Sequence, residues 1–110
     1  MPAPVVELLY FHSCPNHEAT GKLIERVVAA ETLHPDVRLV EVTSADEAQR
    51  LHFLGSPTVR VNGHDIEPGA DARTDFTLAC RIYRTEWGHR VTPRDEWLRV
   101  ALRDAETSTP

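Results

Sequence analysis

One short segment of the sequence combines a thiol with two imidazoles. It reads His12-Ser13-Cys14-Pro15-Asn16-His17. A thiolate is a nucleophile and a ligand for soft metals. An imidazole three residues further along a helix stabilises that thiolate when it is protonated and accepts its proton when it is neutral. The residue types and their spacing therefore predict thiol chemistry at Cys14, with His17 as the residue that tunes it.

The second thiol, Cys80, lies in an alternating run with Leu78 and Ile82. Residues 76–84 could form a strand or a short helical piece, and the alternation favours a strand with Cys80 on its buried face. Two roles follow for Cys80: an inert thiol in the core, or the thiol that resolves a mixed disulfide formed at Cys14. The two cysteines and six histidines do not have the spacing of a zinc site, so no metal site is expected.

Composition limits the classes of function. The chain has 110 residues, which predicts a single domain over residues 1–110. Its net charge of −5 argues against a surface that binds nucleic acid. The N-terminal sequence has neither the pattern of a signal peptide nor an apolar run long enough for a membrane span, so a cytoplasmic protein with free or transiently paired cysteines is expected. A loose acidic cluster is predicted to be a solvated face: Asp65, Glu67, Asp71 and Asp75.

The apolar patterns predict alternating strands and helices. Leu23, Ile24, Val27 and Val28 recur at helical spacing after the first strand. Residues 44–47 have the spacing of a capping box, which starts a second helix that is expected to run to about Leu54. The predicted elements are strands at 5–11, 37–42, 58–61 and 64–67, a helix from about Pro15, a hairpin turn at Asn62-Gly63, a polar loop at 68–75 and a final helix at 93–104 with Trp97, Leu98, Ala101 and Leu102 on its core face.

This arrangement resembles the thioredoxin family. The chain has the order βαβαββα, a cysteine at the first strand-to-helix junction and a proline at the entrance to the third strand. The resemblance covers residues 5–67 and 93–104, and it treats 68–91 as an insertion. It implies a thioredoxin-like α/β fold with a central mixed sheet of four to five strands flanked by helices.

The same resemblance assigns roles to site residues. Cys14 corresponds to the first cysteine of the family's Cys-x-x-Cys motif, and His17 replaces the second. Pro57 corresponds to the family's cis-proline, and the main chain of Ser56 would then bind an extended peptide or thiol. A motif with one cysteine cannot form the usual disulfide, which favours monothiol chemistry.

These features lead to one leading hypothesis and two alternatives. The leading hypothesis is thiol-disulfide exchange or reduction through Cys14 on a thiol or disulfide substrate, protein or small molecule, with an external low-molecular-weight thiol or Cys80 resolving the mixed disulfide. The first alternative is a protein that binds a soft metal or an organomercurial between Cys14 and Cys80. The second is a redox-inactive thioredoxin-like scaffold that binds a protein partner.

Overall fold

The computed structural model describes residues 3–31 and 34–107, with side chains up to Ala105. The described chain is an α/β structure, and the ends of the expected 1–110 domain and residues 32–33 lie outside it. Its elements are β1 (Val5–Tyr10), α1 (His17–Ala30), β2 (Asp36–Glu41), α2 (Ala45–Arg50), β3 (Thr58–Val61), β4 (His64–Asp65), a 3₁₀ turn (Ala70–Ala72), β5 (Tyr83–Thr85), β6 (Gly88–Arg90) and α3 (Asp95–Thr107).

A mixed four-stranded sheet forms the centre of the fold. Its strand order is β2-β1-β3-β4. β1 and β2 are parallel and joined by α1, whereas β3 is antiparallel to both β1 and β4. Asn62 and Gly63 both have positive φ, at 51° and 84°, which is what a tight hairpin turn requires. The predicted mixed sheet and the hairpin are therefore confirmed.

Each face of the sheet has its own apolar core. The larger core lies between the sheet and the pair α1 and α3, and Leu98 and Leu102 of α3 are fully buried in it. Trp97 and Ala101 pack against the same core, which confirms the face predicted for the last helix. The smaller core lies on the opposite face and consists of Leu9, Val42, Ala48 and Phe53.

The start of α2 confirms the capping signal, while its end corrects the predicted length. Glu47 donates its N–H to Ser44 Oγ at 3.0 Å, and the Glu47 carboxylate accepts from Thr43 N–H at 2.9 Å. The helix ends at Arg50 rather than near Leu54. Within the described part of the chain, no helix is long and apolar enough to cross a membrane.

The strand predicted over residues 76–84 is wrong for most of its length. Only Tyr83–Thr85 forms a strand, and it pairs with β6 in a separate two-stranded sheet. Residues 76–81 lie beside a loop, residues 53–56, instead of a strand, so they form a single bridge, Ser56 with Cys80. Trp87 occupies the turn between β5 and β6, whereas Gly88 and His89, which follow it, belong to β6.

Candidate functional site

Cys14 lies in the turn that joins β1 to α1. Its N–H donates to Phe11 O at 3.0 Å, which closes a tight turn directly after the strand. α1 begins at His17, two residues later than the sequence predicts, so Cys14 precedes the helix instead of starting it. The side chain of Asn16 does not cap the helix. The turn buries the cysteine, which is only 2% exposed.

The two histidines of the motif contact side chains other than the thiol. The imidazole of His17 stacks on the ring of Tyr10, with centroids 4.6 Å apart and 25° between the planes. His12 is exposed, and its Nδ1 is 4.0 Å from the carboxylate of Glu41. Among the residues that the structure describes, no hydrogen bond joins Cys14 to either histidine. The tuning role predicted for His17 therefore requires a different position of its ring.

The Ser56-Pro57 loop packs against the same turn as Cys14. Phe11 N–H donates to Ser56 Oγ at 3.4 Å, while Phe11 O accepts from Cys14. The Ser56–Pro57 peptide bond is cis, and both residues are buried. Phe11 thus connects the cysteine turn to this loop, and the fold brings together two segments that are 45 residues apart in the sequence.

The main-chain groups of Ser56 already have partners. Ser56 N–H donates to Ala79 O at 2.8 Å, and Ser56 O accepts from Arg81 N–H at 2.9 Å. These are the main-chain groups of Ser56 that the resemblance described above would assign to a bound peptide or thiol. Gly55, with φ of 112°, allows this approach, because a Cβ there would lie 3.0 Å from Ala79 O. In this conformation the chain's own residues fill the position expected for a substrate.

Cys80 is exposed, which corrects the prediction that it shares a buried face. Leu78 and Ile82 are also exposed, at 37% and 51%, whereas Arg81 and Tyr83 are buried. Burial alternates only at residues 81–83, and there the buried side is the opposite of the predicted one. Cys80 is the bridge partner of Ser56, so it lies beside the loop that contacts the Cys14 turn. Neither thiol is in a disulfide.

A buried ion network lies next to this loop. Arg81 Nη1 donates to Thr58 Oγ1 at 2.9 Å and to Asp65 Oδ2 at 2.8 Å, and its Nη2 donates to Glu67 Oε1 at 2.8 Å. The guanidinium also lies 4.3 Å from the centroid of the Tyr83 ring. The solvated face predicted for Asp65 and Glu67 is therefore wrong. No local signal in the sequence pairs them with a residue 14 to 16 positions later.

Tyr83 connects this network to Pro57. Its hydroxyl donates to the carbonyl oxygen of Pro57. Burial raises the pKa of Tyr83 well above its usual value, and the nearby charge of Arg81 offsets only part of that rise. The hydroxyl therefore stays protonated and remains a donor to the loop.

No set of three or more metal-binding side chains occurs among the described residues. The chain has no match among protein-family models, curated proteins or solved structures. Its function is consequently inferred from the geometry of the site.

Proposed function

We propose that this chain is a thioredoxin-like thiol protein that carries out thiol-disulfide exchange through Cys14. The observation that carries the proposal is the double use of Phe11, whose main chain bonds both the Cys14 turn and Ser56. The order of elements supports it, since a parallel β1-α1-β2 unit is followed by an antiparallel β3-β4 pair and a final helix. The cysteine follows the first strand, and Pro57 precedes the third.

The reaction follows from the position of the thiol. The thiolate of Cys14 attacks one sulfur of a substrate disulfide, a new S–S bond forms to Cys14, and the other sulfur leaves as a thiolate. The first N–H groups of α1 have no partners within the helix, and the helix dipole favours negative charge at this end. The side chain of Asn16 does not cap these N–H groups, and Cys14 lies in the turn that leads into this end of the helix.

The mixed disulfide needs a second thiol. An external low-molecular-weight thiol attacks the substrate sulfur of the mixed disulfide, so the Cys14 thiolate leaves and the substrate remains joined to the external thiol. Alternatively, Cys80 attacks the Cys14 sulfur from the neighbouring segment, the substrate leaves as a thiolate, and external thiol reduces the internal Cys14–Cys80 disulfide in a later exchange. The burial of Cys14 favours small disulfides, or substrates that displace part of the surrounding chain, over bulky folded ones.

The proposal is tested with glutathione disulfide on the Cys80→Ser variant, in which Cys14 is the remaining thiol. We expect one glutathionyl group per chain by intact mass and its removal by excess glutathione. Cys14→Ser, with Cys80 kept, is the matched control for reaction at an exposed thiol. If Cys14 reacts only under denaturing conditions, exchange through Cys14 is wrong and the scaffold hypothesis replaces it.

The role of His17 is tested in the same background. The rate of Cys14 alkylation by iodoacetamide is measured against pH with and without His17→Ala. If the imidazole leaves Tyr10 to act on the thiol, the pH profile shifts in the variant. An unchanged profile assigns His17 to packing on Tyr10 alone.

A further inference from the structure

Residues 76–81, which we call the strap, run along residues 53–56 as a short stretch of parallel pairing. Three main-chain hydrogen bonds join the segments: Thr77 N–H to Phe53 O, Ser56 N–H to Ala79 O, and Arg81 N–H to Ser56 O, at 2.8, 2.8 and 2.9 Å. The strap therefore forms hydrogen bonds with the main chain of the Ser56 loop as an added strand would.

The two ends of the strap are held very differently. Its C-terminal end is fixed by Arg81, whose guanidinium is buried with Asp65 and Glu67, and the chain continues into the fully buried Tyr83. Its N-terminal part, residues 76–79, buries little surface: Thr77, Leu78 and Ala79 are all exposed, and only Phe76 is half-buried. Segments with few buried apolar contacts open at a lower free energy than the core.

Two side-chain contacts hold the N-terminal end. The ring of Phe76 stacks on the imidazole of His52, with centroids 4.7 Å apart and 4° between the planes. Gln49 Nε2 donates to Phe76 O at 3.0 Å. Gln49 lies in α2, and His52 follows the end of that helix. Both contacts are at the surface, where each contributes little to stability.

We propose that the N-terminal part of the strap, residues 76–79, is an internal pseudo-ligand that moves away from the Ser56 loop while Arg81 stays anchored, and so frees Ser56 N–H for the main chain of an extended peptide substrate. This movement breaks the bonds of Thr77 N–H and Ala79 O and leaves that of Arg81 N–H. When the strap is closed, it covers the main chain of the Ser56 loop. When it is open, Ser56 N–H is an exposed donor next to the Cys14 turn. What the freed edge binds rests on the proposed function, whereas the opening does not.

Hydrogen exchange tests the opening directly. We expect the amides of Ser56 and Thr77 to exchange together, and faster than the amide of Arg81 and the paired amides of β1 and β3. The double variant Phe76→Ser with Gln49→Ala should accelerate Ser56 and Thr77 about tenfold. Leu78→Ser is the matched control, because its side chain is exposed. If Ser56 and Thr77 exchange no faster than β1 and β3 in either protein, the inference is overturned.

The consequence for substrates is tested with two reagents on Cys14 in the Cys80→Ser background. Glutathione disulfide has a peptide main chain that can pair with Ser56, whereas iodoacetamide has no peptide main chain. We expect the strap-loosening double variant to raise the rate with glutathione disulfide about tenfold and the rate with iodoacetamide much less. The Ser56 amide could exchange faster in the double variant while the ratio of the two reaction rates stays unchanged. That result would mean that the freed edge binds no substrate.

The two proposals fail separately. If the Ser56 amide responds as expected but no protein forms a mixed disulfide with glutathione, the opening of the strap is supported and exchange through Cys14 is wrong. If mixed disulfides form at equal rates whether the strap is loosened or not, exchange through Cys14 is supported and the pseudo-ligand role is wrong.

Discussion

The residue Arg81 explains much of the structure beside the cysteine turn. Its side chain is 1% exposed and its guanidinium is bonded to Thr58, Asp65 and Glu67. A charge in this position is tolerated because Nη1 and Nη2 donate to two carboxylates and a hydroxyl, although the buried Nε has no hydrogen-bond partner among the described residues. Through Arg81 the C-terminal end of the strap is tied to β3 and β4, which places Ala79 and Cys80 against the Ser56 loop.

Replacing Arg81 should therefore destabilise the protein strongly. We expect Arg81→Met to lower the free energy of unfolding by about 3 to 5 kcal/mol, because it leaves the buried carboxylate of Asp65 without its partner. Urea unfolding measures the loss. The control is Arg38→Met, whose exposed pair with Asp36 is worth about 1 kcal/mol or less. Equal losses in the two variants would contradict a structural role for the buried network.

Tyr83 should make stability fall at alkaline pH. In the unfolded chain a tyrosine loses its proton at a pH of about 10, whereas burial raises the folded pKa of Tyr83 above that value. The stability that the protonated Tyr83 contributes is fully present below the unfolded pKa. It is lost as pH rises above that value, since the unfolded state then binds fewer protons than the folded state. Urea unfolding at a series of pH values from about 8 to 11 should show a steeper decline in the wild type than in Tyr83→Phe.

The same substitution should also lower stability at neutral pH. Tyr83→Phe leaves the buried carbonyl of Pro57 without its donor, which should lower the free energy of unfolding by about 1 to 3 kcal/mol. Parallel pH curves for the two proteins would show that Tyr83 titrates in the same way folded and unfolded, which would contradict a raised pKa in the folded state.

At the scale of the element, α2 depends on its first residues. It has only six residues, too few to be stable alone, and one of its side chains, Ala48, is buried in the smaller core. The hydroxyl of Ser44 accepts from Glu47 N–H, one of the N–H groups that the start of a helix leaves open, and the carboxylate of Glu47 accepts from Thr43 N–H just before the cap. The element that carries Gln49 toward the strap is thus held in place by its cap.

Removing the cap should weaken α2 measurably. We expect Ser44→Ala to lower the free energy of unfolding by about 1 kcal/mol, as measured by urea unfolding. The matched control is Ser13→Ala, because Ser13 is exposed and makes no side-chain hydrogen bond among the described residues. A loss no greater than that of the control would mean that the cap contributes nothing to stability.

At the scale of the whole molecule, the sheet links two cores that lie on its opposite faces. β1 contributes Val6 and Leu8 to the larger core and Leu9 to the smaller one. Neither core is complete without that strand, so loss of one removes part of the support for the other. The described chain should consequently unfold as one unit.

Cooperative unfolding is a test of the single-domain prediction. In a Trp87→Phe background, fluorescence reports on Trp97, which packs against the larger core, and far-ultraviolet circular dichroism reports on all the helices. We expect the two urea transitions to coincide. Midpoints that differ reproducibly would show that the larger core melts separately from the rest, and the prediction of a single cooperative domain would be wrong.

What the sequence determined by itself is what short stretches of chain decide. Four local features were predicted: the apolar stripe of α1, the capping box of α2, the Asn62-Gly63 turn and the core face of α3. Each depends on the spacing of residues that are close together in the sequence. The position of Cys14 between the first strand and the first helix follows from the same local order.

Only the tertiary structure decided which faces are buried and what fills the site. Val37 and Leu39 are apolar yet exposed, because β2 is an edge strand of the sheet. Arg81 is buried and Cys80 exposed because the carboxylates of Asp65 and Glu67 lie on the inner side, and the strap bonds Ser56 because Gly55 lets it approach. Each outcome depends on partners that are distant in sequence, and local patterns contain no information about such partners.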